Sequence, residues 1–151
     1  MIIKSHLFWC KCRQCGREFD SLTDVSWDEI RLLLSKKDRL PAIVICNEDP
    51  VFEEIWQIVK DVLYPQELFD SELATRFNQV FGELCDLAPD GSLYDMSGKF
   101  LCLNCGSSSV DYGPTDPPLF KEVDAPVVTH RHWDRLVMDQ KVARIKSLLE
   151  P

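Results

Sequence analysis

Cys12-Arg13-Gln14-Cys15-Gly16 and Cys102-Leu103-Asn104-Cys105-Gly106 share one pattern, C-x-x-C-G. Two thiols three positions apart sit on a single tight turn and can grip one metal ion. The glycine after the second Cys supplies the positive φ that lets the backbone curl round that ion. One such turn is a weak signal. Two supply four soft ligands, the donor set of a closed tetrahedral Zn²⁺ site. Cys12, Cys15, Cys102 and Cys105 are therefore the expected metal ligands, holding one structural Zn²⁺ per chain. A shell of four thiolates leaves no open position for water or substrate, so its chemistry is folding energy.

The other thiols and the imidazoles fit less well. Cys10 lies two residues before Cys12 on the same strand face. It is a substitute ligand, a free thiol or a core residue, and spare Cys usually behave as small hydrophobes. A redox set of Cys10, Cys12, Cys102 and Cys105 faintly resembles the zinc switch of redox-regulated chaperones. It leaves Cys15 free and the glycine of the second turn unexplained. Cys46 and Cys85 fall in apolar stripes and read as core. His130 and His132 lie at a helix start, where positions i and i+2 face apart. Exposed or capping roles suit them, with completion of a zinc shell open to either if one Cys fails. His6 is the remaining imidazole. No nucleophile motif, phosphate-cradling loop or H-E-x-x-H is present, so the expectation is a protein that is not an enzyme.

The formal net charge is -8 over 151 residues, and it is uneven. Residues 1–46 hold eight Lys/Arg and six Asp/Glu; residues 47–95 hold two and twelve; residues 96–151 hold seven of each. An acidic middle opposes broad phosphate binding and favours a basic partner. It equally serves as a solvated face. The first residues lack a basic segment followed by a long apolar run, and no stretch approaches the ~20 apolar residues of a membrane span. Seven Cys, four of them in C-x-x-C pairs, suit a reducing compartment. A cytoplasmic protein is expected.

Elements must bring the two Cys turns together. Ile2–Lys11 reads as a strand and Arg17–Ser21 as its return. Ser26 to Glu29 is a capping box, and Ile30, Leu33 and Leu34 at helical spacing predict a helix over 27–37. Ala42–Cys46 is a buried strand. Asp49-Pro50 starts a helix to about Leu63, and Asp70 or Ser71 starts another through Leu84. Pro89-Asp90-Gly91 is a turn. Ser92–Asp95 and Lys99–Leu103 read as strands, with Ser107–Tyr112 returning. Gly113 to Pro126 is a Pro-rich loop, and Thr129 caps a last helix over 130–149.

The expected architecture is α+β: a zinc-ribbon-like pair of β-hairpins split by a helical insertion, with a C-terminal helix. A single domain over 1–151 divides into ribbon halves 1–25 and 89–113, a mainly helical insertion 26–88, a Pro-rich loop 114–128 and a helix over 129–150. The two C-x-x-C-G units resemble the zinc-ribbon class of transcription factors, ribosomal proteins and nucleic-acid enzymes. That resemblance implies a metal and a fold fragment around the knuckles. It also implies nucleic-acid contact, for which Lys11, Arg13 and Arg17 serve at the first knuckle. The second knuckle carries no basic residue.

In overall character the chain resembles bacterial immunity proteins, small acidic antitoxins that neutralise toxins. This resemblance rests on one acidic domain without a catalytic motif. It implies a non-enzymatic protein-binding module with a basic protein partner, a toxin. The carboxylates of Glu53, Glu54, Asp61, Glu67 and Glu72 are then the candidate partner-binding groups. The alternative is a nucleic-acid-binding or transcription-associated zinc ribbon.

Overall fold

The computed structural model describes residues 1–25, 29–64 and 69–150. Ser26, Trp27 and Asp28 of the expected capping box and Glu67 of the acidic set lie outside the described residues. The strands are β1 (Ile2–Cys12), β2 (Glu18–Val25), β3 (Ile30–Ser35), β4 (Pro41–Ile45), β5 (Tyr94–Asp95) and β6 (Val110–Asp124). The helices are α1 (Pro50–Leu63), α2 (Asp70–Leu84), α3 (Arg131–Asp134) and α4 (Met138–Leu149). The strands form two antiparallel sheets, ordered β2-β1-β6 and β4-β3-β5. The fold class is α+β.

Three layers follow from which faces are apolar. The β3/β4 hairpin is apolar on both. Leu33, Ala42 and Val44 pack with Ile55 and Val59 of α1, Phe77 and Phe81 of α2, Trp133 of α3 and Ile145 of α4. Ile30 and Ile43 point the other way, against Ile3 of β1 and Ala125. The second sheet is thus sandwiched between the helices and the first sheet. Its far edge is closed by residues 126–128: the Ile43 N–H bonds the Pro126 carbonyl, and the Val128 N–H bonds the Ile43 carbonyl. Trp133 is 1% exposed; truncating it to Ala would cost about 3–5 kcal/mol.

Local chemistry starts the helices in two ways. Asp49 caps α1 as expected, its Oδ1 accepting from Val51 N at 2.9 Å and Phe52 N at 3.3 Å, with Pro50 in the first turn. Phe69 is the N-cap of α2 and makes no side-chain bond there. The C-terminal segment departs from expectation: it is two helices, α3 and α4, and Thr129 does not cap it. Instead the Asp86 carboxylate, from the loop after α2, accepts from Arg131 N at 2.9 Å and His132 N at 3.0 Å. Thr129 donates its hydroxyl to the same group at 2.6 Å.

Three further expectations are corrected. Within the helix expected over 27–37, Ile30–Ser35 is the strand β3, because Ile30–Leu34 pairs residue for residue with Ile45–Pro41. Segment 26–88 is therefore strand and helix together rather than mainly helical. The Pro-rich stretch 114–128 is not a loop through most of its length: β6 runs through it to Asp124, paired with β1. As an edge strand, β6 tolerates proline. Its register steps from Phe8↔Pro114 to Leu7↔Leu119, which puts Thr115–Pro118 in an outward bulge. The Thr115 hydroxyl holds that bulge, accepting from Leu119 N and donating to the Pro117 carbonyl. Lastly, Lys99–Leu103 is not a strand, so the second Cys turn does not sit on a hairpin of its own.

Candidate metal centre

Pairing of β6 with β1 brings the two Cys turns together. Cys12 ends β1 opposite Val110, the first residue of β6, and the Arg13 N–H bonds the Ser109 carbonyl at 2.9 Å. Both turns repeat one backbone scheme. Gly16 N–H bonds the Cys12 carbonyl and Cys12 N–H bonds the Arg17 carbonyl. Gly106 N–H bonds the Cys102 carbonyl and Cys102 N–H bonds the Ser107 carbonyl. Gly16 and Gly106 have φ of 77° and 73°, the left-handed region that any β-carbon disfavours.

The four sulfurs lie within 4.8 Å of one another. Cys12 Sγ is 3.5 Å from Cys105 Sγ, and Cys15 Sγ is 3.6 Å from Cys102 Sγ. A tetrahedron with metal–sulfur bonds of ~2.3 Å has sulfur–sulfur edges of about 3.8 Å, whereas a disulfide needs about 2.05 Å. The donor set fits a tetrahedral metal ion. Cys12 and Cys102 are buried, and Cys15 and Cys105 are exposed, so an ion there would have a protein side and a solvent side.

The four thiols do not share one electrostatic setting. The Arg17 N–H and the Asn104 side chain draw Cys15 down to about 6. Cys12 is lowered too, chiefly by the Cys15 N–H. Cys105 is pushed up to about 12: the Ser107 N–H favours its thiolate, but Cys12, burial and the other two thiols outweigh it. Like charges this close oppose joint ionisation, and a divalent ion removes that opposition.

Cys10 is fully buried in β1 and lies outside the sulfur cluster; burial, with Asp20, raises its thiol to about 11. Cys85 is also buried, and Cys46 is half-buried at the edge of the main core. His130 does not approach the thiols. Its Nε2 lies 2.6 Å from Asp49 Oδ2, the carboxylate that caps α1, and its ring meets Phe81 edge-on.

The acidic candidates fall into two groups. Glu53, Asp61 and Glu72 are exposed on α1 and α2. Glu54 is engaged internally: its Oε1 accepts from Trp133 Nε1 at 2.6 Å and from Lys141 Nζ at 2.7 Å. Lys141 also stacks over the Trp133 ring. Burial opposes the charge on Glu54, yet these two donors hold its carboxyl below the usual range. Glu54 therefore fastens α1 to α3 and α4. Sequence reasoning missed this latch because its members lie 79 and 87 residues apart.

Beside the latch, α1 and α4 enclose a groove of about 1020 Å³. Ile58, Val62, Met138 and Val142 give it apolar walls; Glu53 and Asp61 stand on one rim and Lys146 on the other. Arg13, one of three basic residues at the first knuckle, is occupied by an ion pair with Asp111. Among the described residues, no helix is long and apolar enough to cross a membrane. No protein-family model, curated protein or solved structure matches this chain.

Proposed function

We propose that this chain is a non-enzymatic, cytoplasmic protein-binding module stapled by one structural zinc ion, and that it neutralises a toxin as an immunity protein. The observation that carries the binding reading is the groove between α1 and α4. Its apolar walls offer contact area, and Met138 at 53% and Tyr64 at 80% exposure extend that area into solvent. Glu53 and Asp61 have no cation within 4 Å among the described residues. A basic amphipathic segment of a partner fits both features: apolar side chains in the trough and Lys or Arg towards α1. Zinc is the metal that four thiolates without an open position suit best.

The test is capture from the native cell by the zinc-loaded protein. A basic protein should be retained after nuclease treatment and lost with the Glu53→Lys, Asp61→Lys double variant. Co-expression should then relieve the toxicity of the captured protein. Capture that depends on nucleic acid would favour the zinc-ribbon nucleic-acid reading. Capture unchanged by charge reversal would remove the groove from the account.

A further inference from the structure

Away from the thiols and the α1–α4 groove, the two sheets enclose a cleft of about 700 Å³. That volume is ordinary for a small-molecule site. Lys4, His6 and Phe8 alternate along β1 and so share the face that lines it. Phe120 and Tyr112 join them from β6, and Phe100 from the segment before the second knuckle. The rings form a continuous aromatic wall. His6 stacks on Phe120 with centroids 4.9 Å apart, Phe8 lies parallel to Phe100 at 5.9 Å, and Phe100 meets Tyr112 at 4.6 Å. Phe120 and Tyr112 are 55% and 60% exposed, so much of this wall faces solvent. Leu32 and Leu34 of β3 line the opposite side.

The charge of the cleft runs against that of the chain. Lys4, Arg39 and Lys99 line it against one carboxylate, Asp95. Arg39 and Asp95 pair at 3.2 Å. Lys4 sits 5.1 Å above the Phe120 ring, and Lys99 is exposed. Neither lysine has an acidic partner within 4 Å among the described residues, although Glu122 stands opposite Lys4 in the β1/β6 register. Two unpaired positive charges beside stacked rings, in a protein of net charge -8, are a local reversal that solubility does not require. His6 Nε2 is shut off from solvent and has no hydrogen-bond partner, so the imidazole joins the wall through its ring.

We infer that this cleft binds a nucleoside monophosphate. A base stacks on the Phe8/Phe120/Tyr112 wall, and its phosphate, carrying between one and two negative charges at neutral pH, meets Lys4 and Lys99. The site is independent of the groove between α1 and α4.

Calorimetric titration of the full chain tests this, with the adenine, guanine, cytosine and uracil ribonucleoside 5′-monophosphates as probes. The expected result is one site per chain for at least one of them. Adding Lys4→Ala and Lys99→Ala together should weaken it about tenfold or more. Phe120→Ala should weaken it about 5- to 150-fold, the usual effect of losing one stacking ring. All three positions are exposed, and unchanged circular dichroism would show that the fold survives. The nucleoside lacking its phosphate should bind more weakly than the nucleotide, and inorganic phosphate should not bind. Silence from all four nucleotides at millimolar concentration would overturn the inference. So would binding indifferent to both lysines and Phe120, or binding of a single-stranded oligonucleotide where every mononucleotide fails.

Discussion

Gly82 lies inside α2, where alanine would normally be the better residue by about 0.8–1.0 kcal/mol. The surroundings reverse that expectation. A β-carbon at position 82 would stand 2.5 Å from the Tyr94 carbonyl oxygen, 2.9 Å from its carbon and 3.2 Å from Met96 N. All three are backbone atoms of β5 and the residue after it, so no side chain can rotate away. Relief requires α2 to move off β5. Overpacking of this kind costs about 1–3 kcal/mol, and a rigid backbone obstacle belongs at the upper end. Subtracting the propensity gain of about 1 kcal/mol leaves a net loss near ~2 kcal/mol. For a chain of this size that lowers Tm by about 4–8 °C. Urea denaturation and thermal melts of Gly82→Ala would measure it, with Gln79→Ala on the exposed face of α2 as the propensity control. The control should stay within about 0.5 kcal/mol of the parent. A Gly82→Ala protein as stable as the parent, or more so, would refute the close packing of α2 on β5.

Removing the metal should destabilise without abolishing the fold, because the main core, between the helices and the β3/β4 hairpin, contains none of the four thiols. With free metal about a thousandfold above its Kd, binding adds ~4.1 kcal/mol, so chelation should lower Tm by about 8–16 °C, read by calorimetry with and without chelator. Asp86→Ala should cost about 0.5–2 kcal/mol in denaturant unfolding, since it removes the carboxylate that caps α3. The same residue should shape the acid limb. Burial works against its charge, but Thr129 and the His132 and Arg131 N–H groups hold it down to about 2, against an ordinary 3.8. A lowered carboxyl pKa means that the unfolded chain binds the extra proton. The contribution is therefore complete above about pH 4 and lost as pH falls towards 2. Stability measured against pH should be flatter across that window in Asp86→Asn than in the parent.

Local signals were legible where one residue type does one job. Gly16 and Gly106 announced the left-handed turns of both knuckles, and Asp49-Pro50 announced the start of α1. Ambiguity entered where two periodicities coincide. Ile30, Leu33 and Leu34 fit a helix face, yet β3 is apolar on both faces because helices cover one side and β1 the other. Six residues are too few to separate the two readings. The prolines of β6 signal a loop in the sequence, but their effect depends on position: Pro114 sits on an edge, and Pro117 and Pro118 sit in a bulge. The Asp86 cap and the Glu54 latch join residues dozens of positions apart, which local pattern does not encode. The cleft left one trace, the alternation Lys4-x-His6-x-Phe8; its meaning required knowing that Phe120 stands opposite His6.

The central claim is that Cys12, Cys15, Cys102 and Cys105 hold one metal ion. Elemental analysis of protein purified without added metal, beside a Cys102→Ser variant and a Cys10→Ser control, tests it directly. One zinc per chain is expected in the parent and in Cys10→Ser, with little or none in Cys102→Ser. A parent without metal, or a Cys102→Ser protein with undiminished zinc, would contradict it.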